Sequence, residues 1–540
     1  MTKLSPTKAL QYGAAVLPLL GLIASPVNAQ QRKAEITPYI EVQQVLIADI
    51  KGGSDVLTYT SVAAGLDSSI ETRRAAAQVN VRYERRFFYQ DNLSDDDIVT
   101  GLARGRLQLV PNLLSLEAGG IATRSRLDLR GAAPSNTVGN IDNVTQVYSV
   151  YAGPSLATRV GDFDVKANYR AGYTKVDNGN VGILPPGQIP VDVFGDSVSH
   201  SANASVGMKP GELPVGWSVG AGWEREDASQ LDQRYENKFV RADVTVPITS
   251  SVALVGGVGY EDIEISERDA VRDANGNPVV DNDGRIVTDE TSPRLLSYDQ
   301  DGIFWDTGVL WRPSRRTSLE ARVGQRYGSE TYFGSFGYQP TENTGVNVLV
   351  YDTVSGFGNF LNDNLANLGA NFSSSRNPLS GELNGCAFGQ ASSLCLNDVL
   401  QSAASSPFRA RGVNGQYTHN YNGWRTGLAV GYARRRFFAS QSGAVPAVDG
   451  LVDENYYTNL SIGRNIDRYS NFDVNIYANL LDSGFAGASN VLGLGANAAY
   501  YRQIIPRLRG TAAVGLDSFQ QEGFDSQLTA SALLGLRYDF

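Results

Sequence analysis

An all-β fold is what this sequence predicts: a single transmembrane antiparallel up-and-down β-barrel of about 22 strands, in a range of roughly 18–24, with no plug domain. Three observations carry that reading. Apolar and polar residues alternate with period two through most of the chain after Gln30. The alternating segments run about 10–15 residues, the length a tilted strand needs to cross a bilayer and more than most soluble strands have. The connections are short and long in turn, as in outer-membrane barrels, whose periplasmic turns are short and extracellular loops long.

Met1–Lys8 carries two lysines and no acid, Ala9–Ala24 is mostly apolar, and Val27-Asn28-Ala29 puts small residues before Gln30. This is the pattern of a secretory signal peptide over 1–29, cleaved between Ala29 and Gln30. An anchor helix is the alternative, but its apolar core is short and holds Pro18. The barrel then occupies 30–540.

Strands are expected near 36–50, 55–68, 74–88, 98–110, 114–125, 144–158, 163–176, 197–209, 216–226, 233–247 and 252–266. They continue near 298–311, 317–328, 332–340, 345–356, 408–420, 425–438, 455–466, 472–484, 491–503, 508–520 and 527–540. In the third, Ala77, Val79, Val81, Tyr83 and Phe87 alternate with Gln78, Asn80, Arg82, Glu84 and Arg86. Even-numbered strands are followed by short turns such as 110–113, 313–317, 340–344 and 505–508. The long connections 126–143, 177–196, 267–297, 357–407 and 439–454 all follow odd-numbered ones. The long loops are therefore read as extracellular and both termini as periplasmic. The last strand sets Leu528, Ala530, Ala532, Leu534, Leu536, Tyr538 and Phe540 on one face. It pairs with the first strand, because a closed barrel has no free edge. Tyr538 and Phe540 make the aromatic terminal signal that barrel-assembly machinery reads.

Composition narrows the function classes. No run of 18 apolar residues follows the signal, and the mean hydropathy of −0.22 argues against a helical membrane protein. The formal charge of −10, which becomes −12 when Lys3 and Lys8 leave with the signal, argues against a nucleic-acid partner. Two cysteines and two histidines leave little material for metal or thiol chemistry. His200 and His419 stand in no nucleophile motif, so no catalytic residue, enzyme activity or cofactor is expected.

Cys386 and Cys395 lie in the longest loop, and an exported chain meets an oxidising compartment, so a disulfide is expected there. Asp273, Asn275, Asn277, Asp281 and Asp283 could ligate calcium. Their spacing departs from an EF-hand, with Pro278 where glycine belongs, and a small hairpin is the simpler reading. The stretches "YERRFFYQ" (83–90) and "YARRRFFAS" (432–440) repeat one pattern at outer strand ends. Either they form an interfacial girdle whose arginines meet lipid phosphates, or they are ordinary rim residues.

Arg82, Arg104, Arg106, Lys166, Arg170, Arg322 and Arg326 fall on polar faces, with Glu84, Asp164 and Glu320 among them. They line the lumen if Val81, Leu107, Tyr169 and Val323 face lipid, since a charge facing lipid at mid-membrane costs about 2–4 kcal/mol. Two roles follow: selecting anionic solutes or saccharides, or bracing the wall with salt-bridge ladders. The mixed signs favour bracing.

The stretches "ITPYIEVQQV" (36–45), "YERRFFYQDNLSDDD" (83–97), "VYAGPSLATRVGDFDVKANYRAGYTKVD" (150–177) and "RPSRRTSLEARVGQRYGS" (312–329) resemble outer-membrane β-barrel, porin-like proteins of proteobacteria. That family is often linked to exopolysaccharide and exosortase (PEP-CTERM) loci. The resemblance covers most of the mature chain, rests on strand-and-turn patterns and brings no catalytic residues. It implies the outer membrane of a Gram-negative bacterium, with outer-membrane lipid, lipopolysaccharide and a polysaccharide as partners.

The expected function is a channel or porin associated with exopolysaccharide export or saccharide passage. The alternative is a non-conducting surface receptor or structural barrel that binds ligands through its extracellular loops. A plugged nutrient receptor has the same strand count, but the first strand begins within about ten residues of Gln30, leaving no room for a plug ahead of the barrel.

Overall fold

The computed structural model describes residues 33–540 except 54–55, 91–94, 127–143, 178–193, 212, 282–284, 371, 389–393, 485–489 and 524. The signal segment with Ala29 and Gln30, most of the 126–143 and 177–196 connections, and Asp283 lie outside the described residues.

The strands in chain order are β1 (Lys33–Lys51), β2 (Val56–Glu71), β3 (Ala75–Phe88), β4 (Asp96–Val110), β5 (Leu114–Arg126), β6 (Val144–Val160), β7 (Phe163–Asp177), β8 (Asp196–Met208) and β9 (Gly216–Ala228). Next come β10 (Gln233–Pro247), β11 (Val252–Glu267), β12 (Leu295–Ser314), β13 (Thr317–Arg326), β14 (Ser329–Thr341) and β15 (Thr344–Ser355). Helix α1 (Phe357–Asn367) and the short β16 (Ser373–Arg376), β17 (Leu383–Phe388) and β18 (Leu394–Cys395) follow. The last seven are β19 (Phe408–Tyr421), β20 (Trp424–Phe437), β21 (Val452–Asn465), β22 (Ser470–Asp482), β23 (Val491–Ile505), β24 (Leu508–Gln521) and β25 (Gln527–Asp539).

Twenty-two strands form one antiparallel sheet, and β16–β18 form a separate one of three. The large sheet closes on itself: β1 pairs with β25 from Tyr39↔Asp539 to Lys51↔Leu528, and the Phe540 amide donates to the Pro38 carbonyl at 2.9 Å. A terminal strand so paired does not fray. Every wall strand falls on its expected span, with ends within three residues.

Alternation persists because each strand has two different environments. The outward set is apolar and exposed, with Ile303 76% and Leu534 70% accessible, as a lipid-facing surface requires. Tyr421, Trp424 against Phe472, and Tyr538 against Phe540 ring the turn end. Tyr83, Phe87 and the Tyr432–Tyr456 pair ring the loop end. Tight turns carry the residues they need: Asn422 and Gly423 both have positive φ (49° and 78°), the conformation of a two-residue hairpin turn that matches strand twist.

The expectation of a barrel without a plug is overturned. The described residues of 357–407, a stretch that the sequence predicts as an extracellular loop, fold back into the loop-end half of the lumen. Phe357, Phe360, Leu361, Leu365 and Leu368 bury there against wall residues Leu102, Ile121, Val147 and Tyr151. The physical reason is their apolar character, which favours burial at about 25 cal/mol per Å² removed from water. Inward residues near the loop end are accordingly buried, as in the "BiBiBeB" half of β6, while those near the turn end are half-exposed. The lumen is thus filled above and wet below.

Candidate functional site

The candidate site is the plug and its seat. Helix α1 begins after Gly356, which has no side chain to cap it. The wall supplies the cap: Glu226 of β9, buried, accepts from the Gly358 and Asn359 amides at 2.9 and 2.8 Å. Those are donors that a helix leaves without internal partners, at its positive end. At the other end Arg104 of β4 donates to the Leu368 and Ala366 carbonyls at 3.0 and 3.2 Å, and pairs with Glu117 at 2.7 Å. Between the ends, Asn362 bonds Ser149 and Ser199, and Asp363 pairs with Arg170 at 2.6 Å. A carboxylate at the start and a guanidinium at the end match the helix dipole, so the wall is complementary to this one orientation of α1.

The rest of the plug is anchored around the opposite wall. Leu379 enters an apolar cluster with Val45, Tyr59, Ala513 and Leu533. Arg376 donates to Asn80 and Thr100, and Arg86 to the Ser380 carbonyl. Cys386 and Cys395 form a disulfide that ties β17 to β18, and Gln416 of β19 donates to the Cys395 sulfur at 3.3 Å. Arg435 of β20 and Asp453 of β21 pair at 2.6 Å with both side chains at most 1% exposed. They also hold Ser402 and Gln401 of the plug. A cavity of about 210 Å³ remains on this side, lined by Arg124, Asn377, Glu382, Gln401 and Asn479. A second, of about 290 Å³, lies against Arg241, Asp306, Arg322 and Arg326.

Asp398 sits in the plug, accepts from the Tyr351 hydroxyl at 2.8 Å, and is pushed up to about 6 by burial. A raised carboxyl stabilises the seated state below its free value of 3.8 and loses that contribution as pH rises through about 6. Amides of the plug near 399–403 are therefore expected to open about tenfold less often at pH 5 than at pH 8, after correction for intrinsic exchange. In an Asp398→Asn chain that difference disappears. A wild-type plug whose opening is flat across this range would show that Asp398 does not titrate against the seat.

The structure turns Arg82, Arg104, Arg106, Lys166, Arg170, Arg322 and Arg326 to the lumen side, opposite Leu107, Tyr169 and Val323, which are exposed. Arg82 meets Glu41 and Glu84. Arg322 meets Asp243, Asp306 and Glu320, and Arg326 meets Glu261. Arg106 and Lys166 stand exposed in the lower half. Charge in the lumen thus braces the wall and holds the plug. Alternation also splits both arginine motifs: Arg85, Arg434 and Arg436 point outward, while Arg86 and Arg435 point inward and are the largest fully buried side chains.

The sequence reading missed Glu226 and α1, and it named the motifs that hold Arg86 and Arg435 without their contacts to the plug. The signal for α1 was present, since Phe357, Phe360, Leu361, Leu365 and Leu368 repeat at helical spacing. Outside the lumen, His200 bonds the Tyr169 hydroxyl at 2.8 Å and stacks between Tyr169 and Trp223, while His419 bonds Thr344. Asp273 accepts from the Asn275 and Asn277 amides, and Asp281 from Arg285, so these carboxylates organise turns. Among the described residues no three His, Cys, Asp or Glu side chains converge as for a metal.

No family model matches the chain, and no curated protein matches it. The barrel does overlay solved structures. The siderophore receptor PirA from Acinetobacter baumannii is 9% identical, with 95% of this chain and 81% of that one covered and a TM-score of 0.43. The open form of the ferric-catecholate import receptor Fiu from E. coli K12 is 10% identical, with 93% and 81% covered and a TM-score of 0.45. The ferric yersiniabactin uptake receptor FyuA from Yersinia pestis is 12% identical, with 95% and 81% covered and a TM-score of 0.42. None of these comparisons links the chain to exopolysaccharide or exosortase loci. What they share with this chain is a large antiparallel barrel.

Proposed function

We propose that this chain is a receptor-type barrel of the Gram-negative outer membrane, closed to free diffusion by its own 357–407 segment. Its ligand reaches it from the loop end, and passage requires the plug to shift. The single observation that supports this most is the seat of α1, which is satisfied at both ends by Glu226 and Arg104. A loop that merely narrowed a porin would not need a wall built to its dipole. The outward apolar band with its aromatic rings supports placement in a bilayer, with loops outside and both termini periplasmic. Tyr538 and Phe540, on the strand that closes the barrel, are the residues offered to assembly machinery. The ligand is not carried over from the overlaid receptors.

Planar-bilayer recording of the refolded full chain tests this reading. A silent barrel is the expected result. Steady ohmic conductance from the wild-type protein would return it to the porins.

A further inference from the structure

Neighbouring strands of this barrel stay in register to the loop-end rim, or to the end of the shorter strand as where β13 stops at Arg326 beside β12, except at two interfaces among the described residues. The β4–β5 ladder stops at Gly101↔Ala122, although β4 reaches Asp96 and β5 reaches Arg126. The β14–β15 ladder stops at Gly334↔Val350, although the strands reach Ser329 and Ser355. The second gap is sealed by the wall itself. Arg409 and Arg411, held by Asp352, donate to the Glu330 carbonyl at 3.3 and 2.7 Å.

The first gap is occupied in a different way. Arg124 belongs by alternation to the outward set of β5 that includes Leu116, and Gln146 of β6 is its cross-strand partner. Yet its guanidinium bonds Glu382 of the plug and lies 3.7 Å from Asp96, both on the lumen side. The side chain passes between the strands. Paired strands lie about 4.8 Å apart with hydrogen bonds between them, which leaves no room for a guanidinium. The plug grips the same edges: the Ala403 amide donates to the Arg126 carbonyl at 2.9 Å, Ser125 donates to the Leu400 carbonyl at 2.8 Å, and Arg376 donates to the Thr100 carbonyl at 3.1 Å. Outside, the Gln146 amide spans the gap, donating to the Val99 and Thr123 carbonyls, each at 2.9 Å.

We propose that the β4–β5 seam is a two-state latch. With the plug seated the seam is open and threaded by Arg124. When the plug leaves, Arg124 withdraws, and the strands zip from Thr100↔Thr123 to the rim. A closed ladder and the Arg124–Glu382 contact exclude each other, so the wall reports on the plug and the plug on the wall. This inference rests on the plugged-receptor reading, but it is read from the wall rather than from current.

The test uses the full chain with Thr100→Cys and Thr123→Cys, which face each other if the register continues. The control is Leu102→Cys and Ile121→Cys, which are partners in the existing ladder. With the plug seated, the seam pair is expected to oxidise at least about tenfold more slowly than the control. In a Glu226→Ala/Phe360→Ala background, which loosens α1 through Glu226 of β9 and through Phe360, whose ring packs on Tyr351 and Phe408, it should match the control. Equal rates with the plug seated would mean that the ladder is already closed. Slow oxidation in both backgrounds would mean that plug and seam are uncoupled. Thr100→Cys itself removes a hydroxyl that meets Arg376 and Gly381, so amide exchange without cysteines gives the second readout. Amides 97–100 and 123–126 should exchange about tenfold more slowly once Glu226 and Phe360 are replaced, as newly laddered strands do. Unchanged or faster exchange there overturns the latch. A conducting wild-type barrel would defeat the receptor reading by a separate measurement.

Discussion

Replacing Glu226 and Arg104 together by alanine is expected to convert a silent barrel into one that conducts in bursts. Glu226 accepts two amides at the start of α1, and loss of such a charged cap costs about 1–2 kcal/mol. Arg104 donates to two carbonyls at its end, and loss of hydrogen bonds from a charged donor costs about 1.5–3 kcal/mol. The two sites lie at opposite ends of one helix and share no partner, so their effects should add. A combined loss of roughly 3–4 kcal/mol raises the unseated fraction by two to three orders of magnitude. Each single variant should flicker less than the pair. Glu226→Gln should fall between, because an amide oxygen still accepts but brings no charge to the dipole. Arg104→Lys should behave nearly as alanine, since one ammonium cannot serve two carbonyls as a planar fork does. Openings should be narrower than an empty barrel of 22 strands would give, because Arg435, Asp453 and the Leu379 cluster still hold the rest of the plug. A double variant that folds, runs as a heat-modifiable barrel and stays silent would show that α1 is not the gate.

The wall of this protein is legible in its sequence, and the filling is not. Each strand repeats a local rule, apolar out and polar in, and a rule of period two needs no knowledge of distant residues. That is why Arg82, Arg104 and Arg322 could be placed on the lumen side from alternation alone. What they touch could not be. Arg104 meets Leu368, and Arg86 meets Ser380, across hundreds of residues of sequence. No local pattern encodes such pairings. The plug was hidden for a different reason. Long connections between barrel strands are ordinarily outside, so a helical repeat at Phe357, Phe360, Leu361 and Leu365 was read as loop. Its apolar side chains have only two places to go, the bilayer or the lumen, and the flanking asparagines rule out the bilayer. Both readings of "ERRFF" and "ARRRFF", girdle or rim, treat each arginine run as one feature, although alternation alone assigns Arg86 and Arg435 to the inside.

Removing Arg435 alone should be the most damaging single change to the plug's second anchor. Arg435 and Asp453 face each other across β20 and β21, pair at 2.6 Å, and are both shut away from water. The guanidinium also reaches the Ser402 carbonyl and hydroxyl at 3.1 and 2.6 Å, and lies over the Phe408 and Phe437 rings at 5.1 and 5.3 Å. In Arg435→Met the volume is roughly kept, but the Asp453 carboxylate stays buried without its cation. Breaking one partner of a buried pair in this way costs about 3–5 kcal/mol. Gln401, which donates to the same carboxylate at 2.9 Å, cannot replace a full charge. Local opening of the plug at 399–403, read by amide exchange, should rise by two to three orders of magnitude. The double variant Arg435→Met/Asp453→Leu separates this cost from the worth of the pair. With both charges gone, no ion is stranded, and an apolar pair of similar volume is often neutral or better. The double variant should therefore recover most of the protection that the single one loses, while Ser402 loses its donor in both. Equal damage in the single and double variants would locate the anchor in the bonds to Ser402 rather than in the ion pair. No damage in either would leave the plug held by α1 and the Leu379 cluster alone.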